Sequence, residues 1–170
     1  MITVSADVDR PAEQVFAYAT DPARFSEWQK GVIDGHMDGS GAPSPGTRCL
    51  TTRRIGRASR PITSELTHID PPRTWGVRGI DGPIRAIVDL TVEPLGANRS
   101  RLTIALDFEG RGIGRLLVPL VVRGEARKEM PVNLATLKQR LGRFVGAPIS
   151  TMRRSWCRDA AASPSSSSGS

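Results

Sequence analysis

Apolar and polar residues alternate at the start of the chain, with Ile2, Val4, Ala6 and Val8 set against Thr3, Ser5 and Asp7. A period of two is that of a half-buried strand. The pattern then turns helical. Asp9 is placed to cap a helix, and Pro11 falls at an early helical position where its missing N–H costs nothing. Glu13 lies near the positive end of the helix dipole, and Val15, Phe16 and Ala19 share one apolar face. Asp21-Pro22 ends this helix and caps a second short one, in which Phe25 and Trp28 stand three apart on one side.

From Gln29 to about Phe108 the chain reads as six strands separated by turn signals: Gly39 to Gly46, Ile55-Gly-Arg57, Asp70-Pro-Pro-Arg73, Asp81-Gly82 and Leu95-Gly-Ala-Asn98. Consecutive hairpins without intervening helices predict an antiparallel meander. Residues paired across a hairpin point to one face, so the register can be tested for consistency. Setting Val92 opposite Leu102 places Leu90 on Ile104 and Val88 on Leu106, and both strands agree. A tight turn at Asp81-Gly82 sets Val77 opposite Ala86 and Trp75 opposite Val88. The Asp70 to Arg73 turn sets His68 opposite Trp75 and Leu66 opposite Val77. The inner face predicted in this way holds Ile62, Ser64, Leu66, His68, Trp75, Val77, Val88, Leu90, Ile104, Leu106 and Phe108.

After the glycine-rich hinge from Gly110 to Gly114 the spacing becomes three and four. Met130, Leu134, Leu137, Leu141 and Phe144 form the buried stripe of a long C-terminal helix. The stretch from Arg115 to Val122 is apolar nearly all round, and Pro119 and Pro131 predict a kink or a fresh start near one of them. Beyond Val145 the sequence passes into a Ser-rich, low-complexity segment that cannot support a core. The expected organisation is one domain over residues 1–145 and a disordered tail over 146–170.

The formal charge of +7 raises nucleic acid and anionic membranes as partners. Arginine outnumbers lysine 21 to 3, a bias that GC-rich codons produce without any ligand; the arginines are scattered, and the interleaved exposed aromatics of a base-stacking surface are not expected. Nucleic acid is therefore not expected as a partner. One cluster, Arg48, Arg53, Arg54, Arg57 and Arg60, falls on a hairpin, where charge also protects a sheet edge. The run from Leu116 to Val122 is too short to span a bilayer, which takes ~20 residues, but can serve as a portal for transient membrane contact. No secretory signal is apparent, so the expected location is cytoplasmic. Cys49 and Cys157 have neither metal-ligand nor disulfide spacing and read as free thiols; no metal and no cofactor is expected.

Arg10-Pro-Ala-Glu-Gln-Val-Phe16, Asp21-Pro-Ala-Arg-Phe-Ser-Glu-Trp28, Pro45-Gly-Thr-Arg48, Asp70-Pro-Pro-Arg73 and Val92-Glu-Pro94 together resemble the START-like superfamily known as SRPBCC, in its polyketide cyclase/dehydrase-like branch. The resemblance implies an α+β helix-grip (START/Bet v 1-like) fold. In that fold a curved antiparallel sheet of about seven strands, with two short helices after the first, grips a long C-terminal helix. It also implies a cavity for lipids, sterols, polyketides or other apolar molecules. It does not imply catalysis, because carriers, binders and cyclases share the fold.

The candidate contacts for a small hydrophobic ligand are Phe16, Trp28, Leu66, His68, Trp75, Val77, Val88, Leu106, Phe108, Met130 and Leu134, all of which core packing also accounts for. His68, beside Trp75 on the inner face, can act as a base or donate to a ligand carbonyl, or can be a packed histidine. His36 reads as a surface residue. Arg53 and Arg78 offer planar forks for a carboxylate or enolate. The register puts Arg78 outside; Arg53 falls inside with Cys49 and Thr51 if the hairpin closes tightly at Ile55, and is otherwise a solvated arginine, the reading that the sequence favours. No catalytic residue is assigned; His68 and Arg53 are the candidates. Three functions remain: binding or carriage of a small hydrophobic molecule, a polyketide cyclase or dehydratase, and a protein-interaction module with a collapsed pocket and a basic hairpin. Oligomeric state is left open.

Overall fold

The computed structural model describes residues 1–112 and 122–143. Strands β1 (Ile2–Val8), β2 (Val32–Met37), β3 (Arg48–Ile55), β4 (Ala58–Asp70), β5 (Thr74–Gly79), β6 (Ile84–Gly96) and β7 (Arg99–Gly110) form one antiparallel sheet in the order β1-β7-β6-β5-β4-β3-β2. Helices α1 (Ala12–Thr20) and α2 (Phe25–Trp28), joined by a 3-10 turn over Pro22–Arg24, follow β1, and α3 (Arg123–Arg143) follows β7. Because β1 pairs with β7, the two short helices carry the chain from one sheet edge to the other before it returns as a meander. The sheet curves into a half-barrel around the long helix, the helix-grip arrangement that the sequence implies.

Apolar spacing accounts for α1, whose Val15, Phe16 and Ala19 are all buried. Its start differs from expectation. The N-cap is Pro11, with no side-chain cap, because the Arg10 N–H donates to the Val8 carbonyl and turns the chain before the helix begins. Asp9 is left on the surface, 4.0 Å from Arg99. Asp21 does cap the 3-10 turn, accepting from the Ala23 N–H at 3.0 Å. The Tyr18 hydroxyl donates to Glu27 at 2.8 Å, which ties α1 to α2; burial, and then this carboxylate, push the phenol's pKa up. Phe25 and Trp28 meet edge to face at 5.9 Å, and Phe25 meets Trp75 of β5 at 6.2 Å.

The β6–β7 register is the expected one, with Val92 on Leu102, Leu90 on Ile104 and Val88 on Leu106. Two other pairings differ. Trp75 faces Leu90 and Val77 faces Val88, a slip of two residues from the tight turn expected at Asp81-Gly82. The cause lies on β4: the Thr63 N–H donates to the Asp81 carboxylate, and the Ile80 N–H donates to the Thr63 carbonyl, so the turn opens into a wider loop. A slip of two keeps each residue on its face. The second difference is a bulge in β4 between Leu66 and His68, which sets His68 opposite Gly76 and brings Ile69 opposite Trp75. A slip of one sends His68 to the outer face. Gly76 makes room for it there, since a Cβ at that position would lie 2.6 Å from the imidazole Nδ1.

Helix α3 buries Leu134, Leu137 and Leu141, with Met130 packed partly against the same core. It runs continuously through Pro131, so no fresh start occurs at that proline; Pro119, the Leu116 to Val121 part of the portal segment, Phe144 and Cys157 lie outside the described residues. Both ends are held. At its start Arg123 donates to Asp107 of β7 at 3.0 Å. At its end the Arg10 guanidinium donates to the carbonyls of Leu141 at 3.1 Å and Gly142 at 3.3 Å, groups that lack intrahelical partners in a last turn.

These supports can be tested by substitution. Arg10→Ala removes the side-chain donor from two helix-end carbonyls, and should lower stability by about 1–2 kcal/mol in denaturant titrations, whereas an unchanged midpoint would show that the guanidinium is replaced at no cost. Gly35→Ala places a Cβ 2.7 Å from the Pro22 backbone oxygen and should cost about 1–3 kcal/mol, while Gly41→Ala meets nothing within 4 Å and should be near neutral. Equal thermal midpoints for the two variants would contradict the close approach of β2 to the 3-10 turn.

Candidate functional site

Between the concave face of the sheet and α3 lies a cavity of about 1030 Å³. That is at the upper end of small-molecule sites, which run from roughly 300 to 1,000 Å³. Alternation along the strands produces its apolar wall. Trp75 and Val77 from β5, Val88 and Leu90 from β6, and Ile104, Leu106 and Phe108 from β7 point inward, and Met130 closes the wall from α3. Trp28 contributes from α2.

Of the candidate contacts, Trp28, Trp75, Val77, Val88, Leu106, Phe108 and Met130 therefore line the cavity. Phe16 and Leu66 are packed in the core instead, 3% and 1% exposed, and are not part of the wall. Leu134 borders a separate, smaller cleft with Val4 and Ala6 of β1. His68 is the clear correction. It stands on the outer face, 44% exposed, with its Nδ1 3.2 Å from the Thr67 hydroxyl and 4.0 Å from Asp89, and cannot reach a molecule inside. Arg78 is outside as expected, paired with Glu109 at 2.6 Å, and His36 is exposed.

The polar part of the wall gathers where β3 meets the end of α2. Cys49, Thr51 and Arg53 alternate inward along β3. Burial pushes the Cys49 thiol up to about 12, so it stays protonated at neutral pH and is no nucleophile. The Arg53 guanidinium donates to the Gln29 side-chain oxygen at 2.5 Å. Its burial lowers the guanidinium pKa, and the Glu129 carboxylate opposes that shift; an arginine remains charged regardless. The Lys30 N–H donates to Asn133 Oδ1 at 3.0 Å, and its ammonium lies 3.8 Å from Glu129, so the residues after α2 bridge β3 to α3. Sequence reasoning missed Gln29, which its bond with Arg53 of β3 holds on the wall, and Glu129 and Asn133, which the docking of α3 brings there.

Two further features bear on chemistry. The Trp28 indole N–H is buried and has no acceptor among the described residues. Those residues also contain no group of three or more His, Cys, Asp or Glu side chains able to hold a metal ion, and no helix long and apolar enough to cross a membrane.

Comparison with known proteins bears on the same cavity. No curated protein matches the chain. Among solved structures, the Zhui aromatase/cyclase from Streptomyces sp. R1128 is similar at a TM-score of 0.70 and 15% identity, over 86% of this chain and 95% of that one. A START superfamily protein from Mycobacterium smegmatis is similar at 0.66 and 14%, over 85% of this chain and 98% of its own. The di-domain ARO/CYC BexL is matched at 0.64 and 17%, over 84% of this chain and 47% of its own. At such identities the likeness is one of fold. The sequence itself matches a family model described as polyketide cyclase / dehydrase and lipid transport over residues 1–142, and the chain belongs to that family.

Proposed function

We propose that the chain binds a small hydrophobic molecule, lipid or polyketide-like, in the cavity between the sheet and α3. The observation that carries this reading is the cavity itself: about 1030 Å³, with an apolar wall that inward side chains of β5, β6 and β7 supply. Empty apolar space of this size forfeits dispersion contacts that a filled core would make. A ligand restores them. A protein-interaction module with a collapsed pocket fits this volume poorly.

A second reading, a cyclase or dehydratase, is favoured by the family's description and by a cation on the cavity wall. In that reading the Arg53 guanidinium polarises a substrate carbonyl and stabilises the enolate that follows. His68 supplies no base to it, being on the other face. The carboxylates on the wall are committed elsewhere in part: Asp81 accepts from the Thr63 N–H, Glu125 pairs with Lys128 at 3.1 Å, and Glu129 faces Lys30. Binding therefore needs fewer assumptions than turnover.

Titration with the neutral fluorophore N-phenyl-1-naphthylamine tests the binding reading. Wild-type protein should enhance its emission saturably at one equivalent. Leu106→Trp, which fills the cavity from β7, should weaken that binding by roughly tenfold or more while the far-ultraviolet dichroism is unchanged. Absence of saturable binding, or equal affinity in a folded Leu106→Trp variant, would count against an internal ligand site.

A further inference from the structure

We propose that Arg53 anchors an anionic oxygen group on the ligand, so that the cavity selects apolar molecules bearing one acidic head, a carboxylate or an ionised enol, over neutral ones. The proposal rests on the ligand-binding reading above and names the class of molecule that reading leaves open.

Hydrogen-bond capacity at one end of the cavity is the first argument. A guanidinium carries five N–H donors. Arg53 places one of them on Gln29, and its other nitrogens find no acceptor among the described residues. Gln29 accepts through its side-chain oxygen, which leaves its amide nitrogen to donate. Asn133 likewise accepts from Lys30 through Oδ1, which leaves its Nδ2 as a donor. Trp28, only 7% exposed, holds an indole N–H without a partner among the described residues. All four residues belong to the same wall. Of these donors the Trp28 N–H is the one buried outright without a partner, which is costly, while those of Arg53, Gln29 and Asn133 stand half-buried on the cavity wall. An oxygen-rich anion supplies the acceptors.

Charge is the second argument. Among the described residues the cations on the wall are Lys30, Arg53 and Arg54, and the carboxylates are Asp81, Glu125 and Glu129. Asp81 is engaged by the Thr63 N–H and Glu125 by Lys128. Glu129 forms its ion pair with Lys30, at 3.8 Å, and acts on Arg53 only through space, with no ion pair to it among the described residues. Within that set the guanidinium is thus left beside an apolar cavity with a neutral amide as its direct partner. An anion in bidentate contact completes it, and the apolar wall of β5 to β7 takes the remainder of the molecule.

The test compares two probes that share an aromatic frame, 8-anilinonaphthalene-1-sulfonate and neutral N-phenyl-1-naphthylamine, on the full chain. Arg53→Met should weaken the sulfonate probe by about tenfold or more and change the neutral probe less than about twofold, the size expected for a charge-assisted hydrogen bond. Arg53→Lys should recover part of the loss, and Arg57→Met, on the exposed turn after β3, should change neither. If Arg53→Met does not fold, Arg53→Gln reads the same difference. Equal losses for both probes, or no loss for either, would overturn the anchor while leaving the ligand site intact. Failure of both probes to bind wild-type protein would overturn the ligand-binding reading and this proposal with it.

Discussion

One helix cannot fill the concave face of seven strands. At ~4.8 Å between neighbouring strands the sheet is ~29 Å across from edge to edge, whereas a helix with its side chains is ~10–12 Å wide. Helix α3 resolves this by packing its Leu134, Leu137 and Leu141 stripe into the core near β1 and the short helices, fastened by Arg10 at one end and Arg123 at the other. The inward apolar residues of the strands beyond it are covered by the short helices only in part, with Phe25 set against Trp75. The cavity is the space that this mismatch leaves, and its wall is apolar because strand alternation makes it so.

Position along the sheet then decides the chemistry of each part of the wall. The long strands β6 and β7 carry uninterrupted inward residues and form the greasy part. Polar groups concentrate where β3 meets the turn after α2, at Arg53, Gln29, Lys30 and Asn133. That turn is itself fastened to β3, through the Arg54 N–H to the Gly31 carbonyl at 2.7 Å. In the proposed reading, a cavity with one greasy region and one donor-rich end would orient an elongated molecule, whether the protein carries it or transforms it.

Much of this was legible in the sequence, for a physical reason. Alternation and turn residues are local signals, so the seven strands, the two short helices and the inward parity of β5, β6 and β7 could be read from them. Even the wrong turn between β5 and β6 preserved parity, because the slip was by two residues. His68 was misplaced because a β-bulge leaves no pattern of its own; the signal that could have found it is Gly76, whose missing side chain admits the imidazole on the outer face. Phe16 and Leu134 were misjudged for another reason. Both face the core, and periodicity separates core from surface but not core from cavity. The polar end depends on a contact between residues more than a hundred positions apart, Lys30 with Asn133, and nothing local encodes it.

The claim that the cavity exists to hold a molecule is tested most directly by native mass spectrometry of the protein purified from its own cells, followed by extraction and identification of what it carries. The account predicts a stoichiometric mass increment that disappears on denaturation and yields an apolar compound with one acidic group. An unloaded protein that also fails to take up fatty acids or aromatic polyketides added in excess would contradict it.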